Sequence, residues 1–195
     1  MKIHFRIWLA FAVFLFCLVS SAVEAQDVEG DRGFSVGGQF TGLVLDPLGE
    51  GAPGLGGRVA YDFPLKNSVI LSPELEVNHF PANPSGNFGE TELLAGGKIG
   101  VRRGNTGIFA KLRPGVLHIP GNGDFGERNG GAADLFALDA GVVLEHWVRQ
   151  RFCFRLDLGD TMVYFPSPVN TGVGAPSPAG LSHNLQFGVG VMVHF

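Results

Sequence analysis

Two residue patterns in this chain could do chemistry. The first is Ser182-His183, with Asp160 upstream. A hydroxyl, an imidazole and a carboxylate are the parts of an activated nucleophile, provided the base lies within hydrogen-bond reach. Adjacent residues of an extended strand point to opposite faces, so Ser182 and His183 are not expected to meet, and no catalytic residue is assigned. His79, His118 and His146 are scattered without metal-ligand spacing and read as interfacial polar residues. Gly100 and Gly104 flank Arg102 and Arg103 in a strand and turn, not before a helix, so they form no nucleotide fingerprint. No cofactor or metal is expected.

The second pattern is charge with a period of two. Arg58, Asp62, Glu74, Glu76, Lys98, Arg102, Lys111, Arg113, Asp139, Glu145, Arg155 and Asp157 share one parity of their segments, and the opposite parity is nearly free of charge. Six are basic and six acidic. The chemistry this offers is ion pairing in a confined space, where an unpaired charge is costly.

Eight strands are expected to position these residues, at 33–45, 55–63, 69–80, 92–102, 108–119, 135–147, 152–165 and 181–195. Each is about as long as a tilted membrane strand of roughly 9–11 residues. The connections alternate in length. Segments 46–54, 81–91, 120–134 and 166–180 are long and rich in Gly, Pro and Asn, while 64–68, 103–107 and 148–151 are short. An even number of antiparallel strands gathers the long loops at one end and the short turns at the other, the asymmetry of bacterial outer-membrane barrels. Pro73 and Pro114 sit inside strands, where a missing N–H predicts a bulge at each.

Charged residues are 16% of the 195, below the roughly 25% of soluble domains, and Gly reaches 30 residues. The one long apolar run is N-terminal. Lys2 and Arg6 precede an apolar core from Ile7 to Val19, and Val23-Glu24-Ala25 supplies small residues at −3 and −1 of a cleavage site before Gln26. This order predicts a secretory signal peptide at 1–25 and a single barrel domain at 26–195. The run is shorter than the ~20 residues an anchor helix requires. Leu15-Phe16-Cys17 lacks the small residue that precedes a lipidated cysteine, and Cys153 alone remains after cleavage, so no internal disulfide is expected. A net charge of −4 without a basic cluster gives a nucleic-acid partner no support.

Alternation alone does not say which face is inside. A soluble lipocalin-like barrel buries its apolar face; a membrane barrel turns it to lipid. Four features favour the membrane. Leu185, Phe187, Val189, Val191, Val193 and Phe195 alternate with Gln186, Gly188, Gly190, Met192 and His194 up to the last residue. The charged parity is balanced in sign. It also carries Gly37, Gly96, Gly100, Gly115, Gly141, Gly159, Gly188 and Gly190, which leave room for long side chains in a narrow barrel. Finally, Phe34, Phe63, Trp147, Phe152 and Phe195 at one end, and Phe80, Phe136 and Tyr164 near the other, are placed as aromatic girdles.

On these motifs the chain resembles the small bacterial outer-membrane β-barrel superfamily, the OmpA-type transmembrane domain and OmpX-like proteins. Phe109-Ala110-Lys111-Leu112-Arg113-Pro114-Gly115 and Arg155-Leu156-Asp157-Leu158-Gly159-Asp160 look like its strand motifs. The resemblance implies an all-β, eight-stranded antiparallel up-and-down transmembrane barrel in the outer membrane, in contact with lipid. It also implies that Phe187, Val189, Val191, Val193 and Phe195 form the C-terminal signal read by the barrel-assembly machinery. Glu74 is expected opposite Lys98, Arg113 near Asp139, and Glu145 near Arg155, as a stacked network that plugs the lumen. The loop from Gly121 to Gly131, which carries Phe125, is the candidate for an unidentified extracellular ligand. A structural or surface-interaction barrel therefore ranks first, then a narrow ion or solute channel opened by exchange of ion-pair partners. A lipid A-modifying enzyme follows, although relatives of that kind carry His and Ser one residue apart on a shared face. A soluble lipocalin-like binder is the rival at the level of fold.

Overall fold

The computed structural model describes residues 32–45, 50–66, 68–82, 89–120, 132–166 and 179–195. The expected signal peptide and the loop around Phe125 lie outside these residues. Eight strands follow in chain order: β1 (Gly33–Leu45), β2 (Glu50–Pro64), β3 (Val69–His79), β4 (Thr91–Arg103), β5 (Thr106–Ile119), β6 (Ala133–Arg149), β7 (Phe152–Phe165) and β8 (Gly180–His194). Each pairs antiparallel with its sequence neighbours, and β1 also pairs with β8 (Val36 opposite Val193), which closes the barrel. Closure removes both sheet edges, so no strand is left as a template for another chain.

Period-two alternation is visible in the burial of most strands. From β3 to β5, alternate residues are buried in the lumen and exposed on the outer wall over long runs. The first long connection is shorter than expected. Residues 50–54 extend β2 and pair with Thr41–Leu45, leaving 46–49 between the strands. At the opposite end the turns are tight: Gly104 takes a left-handed φ of +53° between β4 and β5, a conformation in which glycine has no Cβ penalty.

Neither proline makes a bulge. Pro73 stays paired with Gly97 on β4, while the ladder with β2 skips Tyr61 and Asp62 and resumes in the same register. Pro114 stays opposite Leu138 on β6, while the ladder with β4 skips Ala95 and Gly96. Each ring turns its missing donor toward one neighbour and costs a local gap in that ladder, with the strand otherwise in step. The register shift among the described strands comes between Trp147 and Arg149, opposite β7. Such an extra residue bends its strand locally. Next to it, Glu145, His146 and Trp147 are all buried.

Two of the expected girdle aromatics are inside. Trp147 is 2% exposed and Phe80 is fully buried. Trp147 shares the parity of Glu145, and Phe80 that of Glu74 and Glu76, so the same alternation that puts these charges inside carries the rings with them. Phe34, Phe63, Phe152 and Phe195 at the short-turn end, and Phe136 and Tyr164 at the long-loop end, are exposed on the outer wall.

Candidate functional site

The barrel interior is the candidate site, and the strands position it through side-chain parity. All twelve charged residues of the period-two pattern point inward, and none is more than 6% exposed. Small residues make the space. A side chain at Gly159 would meet Asp139 Oδ1 at 2.8 Å and Lys111 Cε at 3.1 Å, and one at Gly141 would meet Gly159 Cα at 2.5 Å.

The ion pairs cross the lumen more than they follow neighbouring strands. Arg155 on β7 forks onto Glu74 of β3, with Nη1 to Oε1 at 2.5 Å and Nη2 to Oε2 at 2.9 Å, and its Nε donates to Asp157 at 2.8 Å. Glu145, the register partner of Arg155, accepts from Arg155 Nη1 at 3.3 Å, from Lys98 and from Arg102 Nη2 at 3.4 Å. Lys98 does not stand opposite Glu74. It faces Ser72, Glu74 faces Gly96, and the long lysine still reaches Glu74 Oε1 at 3.7 Å. Arg113 donates to Asp139, directly across from it, through Nε at 2.8 Å, and also to Glu76. Arg58 reaches Glu76 through Nε at 2.8 Å and Asp157 through Nη1 at 3.1 Å. Lys111 lies 3.0 Å from Asp139 and 3.4 Å from Asp157. Asp62 accepts from Arg102 at 2.8 Å and from Ser72 at 2.5 Å.

Apolar groups close both ends of this polar waist. Toward the short turns, the Arg102 guanidinium stacks over Trp147 at 4.6 Å, and Ala60, Cys153 and Met192 pack around the same ring. Lys98 lies 4.4 Å over the Phe109 ring, beside Ile70 and Val143. Toward the long loops, Leu43, Ala52 and Phe80 form one cluster, and Leu117, Ile119, Leu135, Ala137 and Val163 another. Charged side chains, their ring partners and these clusters together occupy the inside of the wall.

Between the waist and the outer clusters lies a layer of neutral polar groups that the charge pattern does not reveal. Gln39 Nε2 donates to Glu76 and to Asn78 Oδ1, both at 2.7 Å. Asn78 donates to Glu76 and Glu92, both at 2.8 Å. Gln186 donates to Glu92 at 2.9 Å and accepts from Thr161 at 2.6 Å. Parity was the available signal for Glu92, which alternates with Lys98 and Arg102 along β4. Just before β4, Glu90 is also buried, and with no charged partner among the described residues that burial pushes its carboxyl up to about 7.

The other singled-out residues fall on the outer wall or apart. His183 bonds Asp160 at 2.6 Å on the exposed side, while Ser182 Oγ donates to Asn184 Oδ1 at 3.2 Å. His79, Thr91, His118 and Asp134 make one outward row across β3 to β6, with His79 to Thr91 at 3.0 Å and His118 to Asp134 at 2.7 Å. His146 lies by the short turns, 3.2 Å from Thr106. Among the described residues, no three of His, Cys, Asp and Glu gather as metal ligands. On β8, Phe187 and Val193 are half-buried, Val189 and Val191 are exposed, and Phe195 is 75% exposed.

No family model matches the chain, and no curated protein sequence does either. Among solved structures, it is similar to the N-terminal β-barrel domain of Pseudomonas aeruginosa OprF. The identity is 12%, the TM-score 0.55, and the match covers 85% of this chain and 100% of that one. It is also similar to Ail, the attachment invasion locus protein of Yersinia pestis, at 14% identity and TM-score 0.52, covering 86% of this chain and 99% of that one. In architecture the chain is a small eight-stranded barrel of the outer-membrane type.

Proposed function

We propose that this chain is an outer-membrane barrel, exported by its N-terminal signal peptide, whose charged side chains close its own lumen. Its contacts with other molecules are made at the long-loop end. The observation that carries the reading is inverted polarity. Twelve charges lie inside, while Phe34, Leu55, Ile108, Leu112, Phe136 and Leu185 are each more than half exposed on the wall. Soluble barrels bury the apolar face; a wall of this kind is matched to lipid. The alternating apolar face of β8 through Phe195 is the part the barrel-assembly machinery would read.

Inside, each of the twelve charges has an opposite partner within ion-pair distance. Removing one partner of a buried pair leaves an uncompensated charge, a loss of about 3–5 kcal/mol, so the network resists opening. Among the described residues no hydrolytic constellation supports an enzyme reading: Ser182 Oγ donates to Asn184 and His183 bonds Asp160. Ail, the attachment invasion locus protein, shows the same fold in a protein named for attachment and invasion, which fits a role at the long-loop end. One observation favours a gated channel as the second reading. Glu145 is shared by Lys98, Arg102 and Arg155, so it can change partners without being left bare.

Single-channel recording in a planar bilayer, on refolded wild type and Arg113→Ala, tests the closed lumen. The expected result is insertion without discrete openings in the wild type. Wild-type openings whose size changes in Arg113→Ala would replace the plug with the channel. Recovery of the chain in a fraction other than the outer membrane would overturn the location.

A further inference from the structure

The charges outside the lumen are scattered in the sequence and sorted by the fold. Every Lys and Arg among the described residues that does not face the lumen lies at the short-turn end. Arg32 precedes β1, Lys66 lies between β2 and β3, Arg103 ends β4, Arg149 ends β6, and Arg151 lies in the turn to β7. All five are exposed, and none makes an ion pair with a described acid. The described acids nearest this end, Asp62 and Glu145, are buried in the lumen and held by Arg102 and Lys98. The outward acids Asp134 and Asp160 lie toward the opposite end. There the sequence of the long connections adds Asp46, Asp124 and Glu127 against Arg128.

Alternation alone does not produce this rim. Arg149 shares the parity of Glu145 and Trp147, which face the lumen, so unbroken pairing would carry it inward. The register shift between Trp147 and Arg149 sets it opposite Phe152 instead, whose ring is exposed on the wall. A bulge re-aims a side chain in this way.

The cations stand beside the short-turn girdle. Gly33 alone separates Arg32 from Phe34, Arg151 precedes Phe152, and Phe195 donates its N–H to the Phe34 carbonyl. Aromatic rings at this level mark the edge of the hydrocarbon, so cations just beyond them stand at headgroup depth. Basic side chains there lay their stems on apolar surface and keep the charge in the polar layer. A free polymer or soluble acid has no reason to be held at that depth, whereas lipid phosphates already lie there.

We propose that this rim selects anionic phospholipid headgroups, with Arg32, Lys66, Arg103, Arg149 and Arg151 meeting their phosphates around the short-turn end. The inference rests on the outer-membrane reading above and adds which lipid the barrel gathers and at which end.

Electron spin resonance tests it. The refolded chain in phosphatidylcholine bilayers receives trace spin-labelled phosphatidylglycerol or phosphatidylcholine, and the motionally restricted fraction of each gives its association with the wall. Wild type should prefer phosphatidylglycerol by up to about fivefold at low salt, the factor that one cation near an anionic surface supplies. The preference should fall toward one in ~1 M salt, where the screening length is about 3 Å. Combining Arg32→Gln, Lys66→Gln, Arg103→Gln, Arg149→Gln and Arg151→Gln should abolish it, and Asp134→Asn with Asp160→Asn should leave it intact. Arg103→Gln and Arg149→Gln should each lower it singly, which decides the matter if the combined variant does not refold. Equal association of the two lipids with wild type overturns the inference, as it would if Asp27, Glu29 and Asp31 of this chain occupied the rim. So does a preference that survives the combined variant, or one abolished by inorganic phosphate at matched ionic strength, which would make the rim a site for free phosphate. A chain that folds in solution without lipid or detergent would overturn the membrane reading itself, a result distinct from insertion without headgroup preference.

Discussion

Arg155 and Glu92 are both sealed inside the same barrel, yet their surroundings are opposites. Arg155, toward the short turns, meets Glu74, Asp157 and Glu145, and each of those acids meets a second cation. Glu92, toward the long loops, meets two carboxamides through one oxygen. Neutral hydrogen bonds link its neighbours Thr161, Gln186, Asn184 and Gln39 to their own partners. The first region is held by charges that hold one another, so its energy is large and conditional on every member. The second is held by hydrogen bonds from uncharged side chains, which contribute about 1 kcal/mol between neutral partners and about 1.5–3 kcal/mol to a carboxylate, and it tolerates single losses. On the proposed reading, a lumen built this way is tied shut at the waist and adjustable near its long-loop end.

The sharpest way to break the contrast is Arg155→Met. It leaves Glu74, Asp157 and Glu145 facing a thioether of similar length, and the expected loss is about 3–5 kcal/mol in urea unfolding from lipid vesicles. A loss below ~1 kcal/mol would mean that Lys98, Arg58 and Lys111 compensate the orphaned acids, and the waist would then be as tolerant as the outer layer.

What the sequence disclosed follows the same division. Period-two alternation carried the strand number, the order and the two unlike barrel ends, because burial on one face of a strand is a local property of the pattern. It also fixes the face on which each charge lies. It does not fix partners. An arginine is long enough to cross an eight-stranded lumen, so Arg155 bonds Glu74 four strands away through the interior, and nothing local to either strand encodes that. Trp147 and Phe80 were legible but misread, since an aromatic near a strand end suggests a girdle, whereas their parity with Glu145 and Glu76 places them inside. The prolines misled for a different reason. The loss of one donor can be absorbed by a gap in one ladder as well as by a bulge, and the sequence does not distinguish the two. The amide layer was invisible because Asn78, Gln186 and Thr161 carry no charge to count.

A smaller effect sharpens the view of the outer mouth. Glu90 has a folded pKa of about 7 against an ordinary 4.5, caused by burial without a charged partner. Its uncharged form is the one favoured by folding. Between pH 4.5 and about 7 the unfolded chain loses this proton while the folded chain keeps it, so stability falls across that window and levels off above it. The fall attributable to Glu90 is on the order of 2–3 kcal/mol, and Glu90→Gln should remove it. Equal pH slopes for wild type and Glu90→Gln between pH 5 and 7 would mean that a cation or solvent reaches this carboxylate.

The mildest expected change lies in the neutral layer itself. Thr161→Val keeps the shape of the side chain and removes the 2.6 Å hydrogen bond to Gln186 Oε1. Gln186 still donates to Glu92, and Asn184 still donates to the backbone carbonyl of residue 161, so a single acceptor goes unmet. The cost should be about 1 kcal/mol, read as a small drop in the urea midpoint without a change in slope. A loss as large as that of Arg155→Met would show that Thr161 holds Gln186, and through it Glu92, in a coupled unit. The outer layer would then be as cooperative as the waist, and charge would not be what sets the two regions apart.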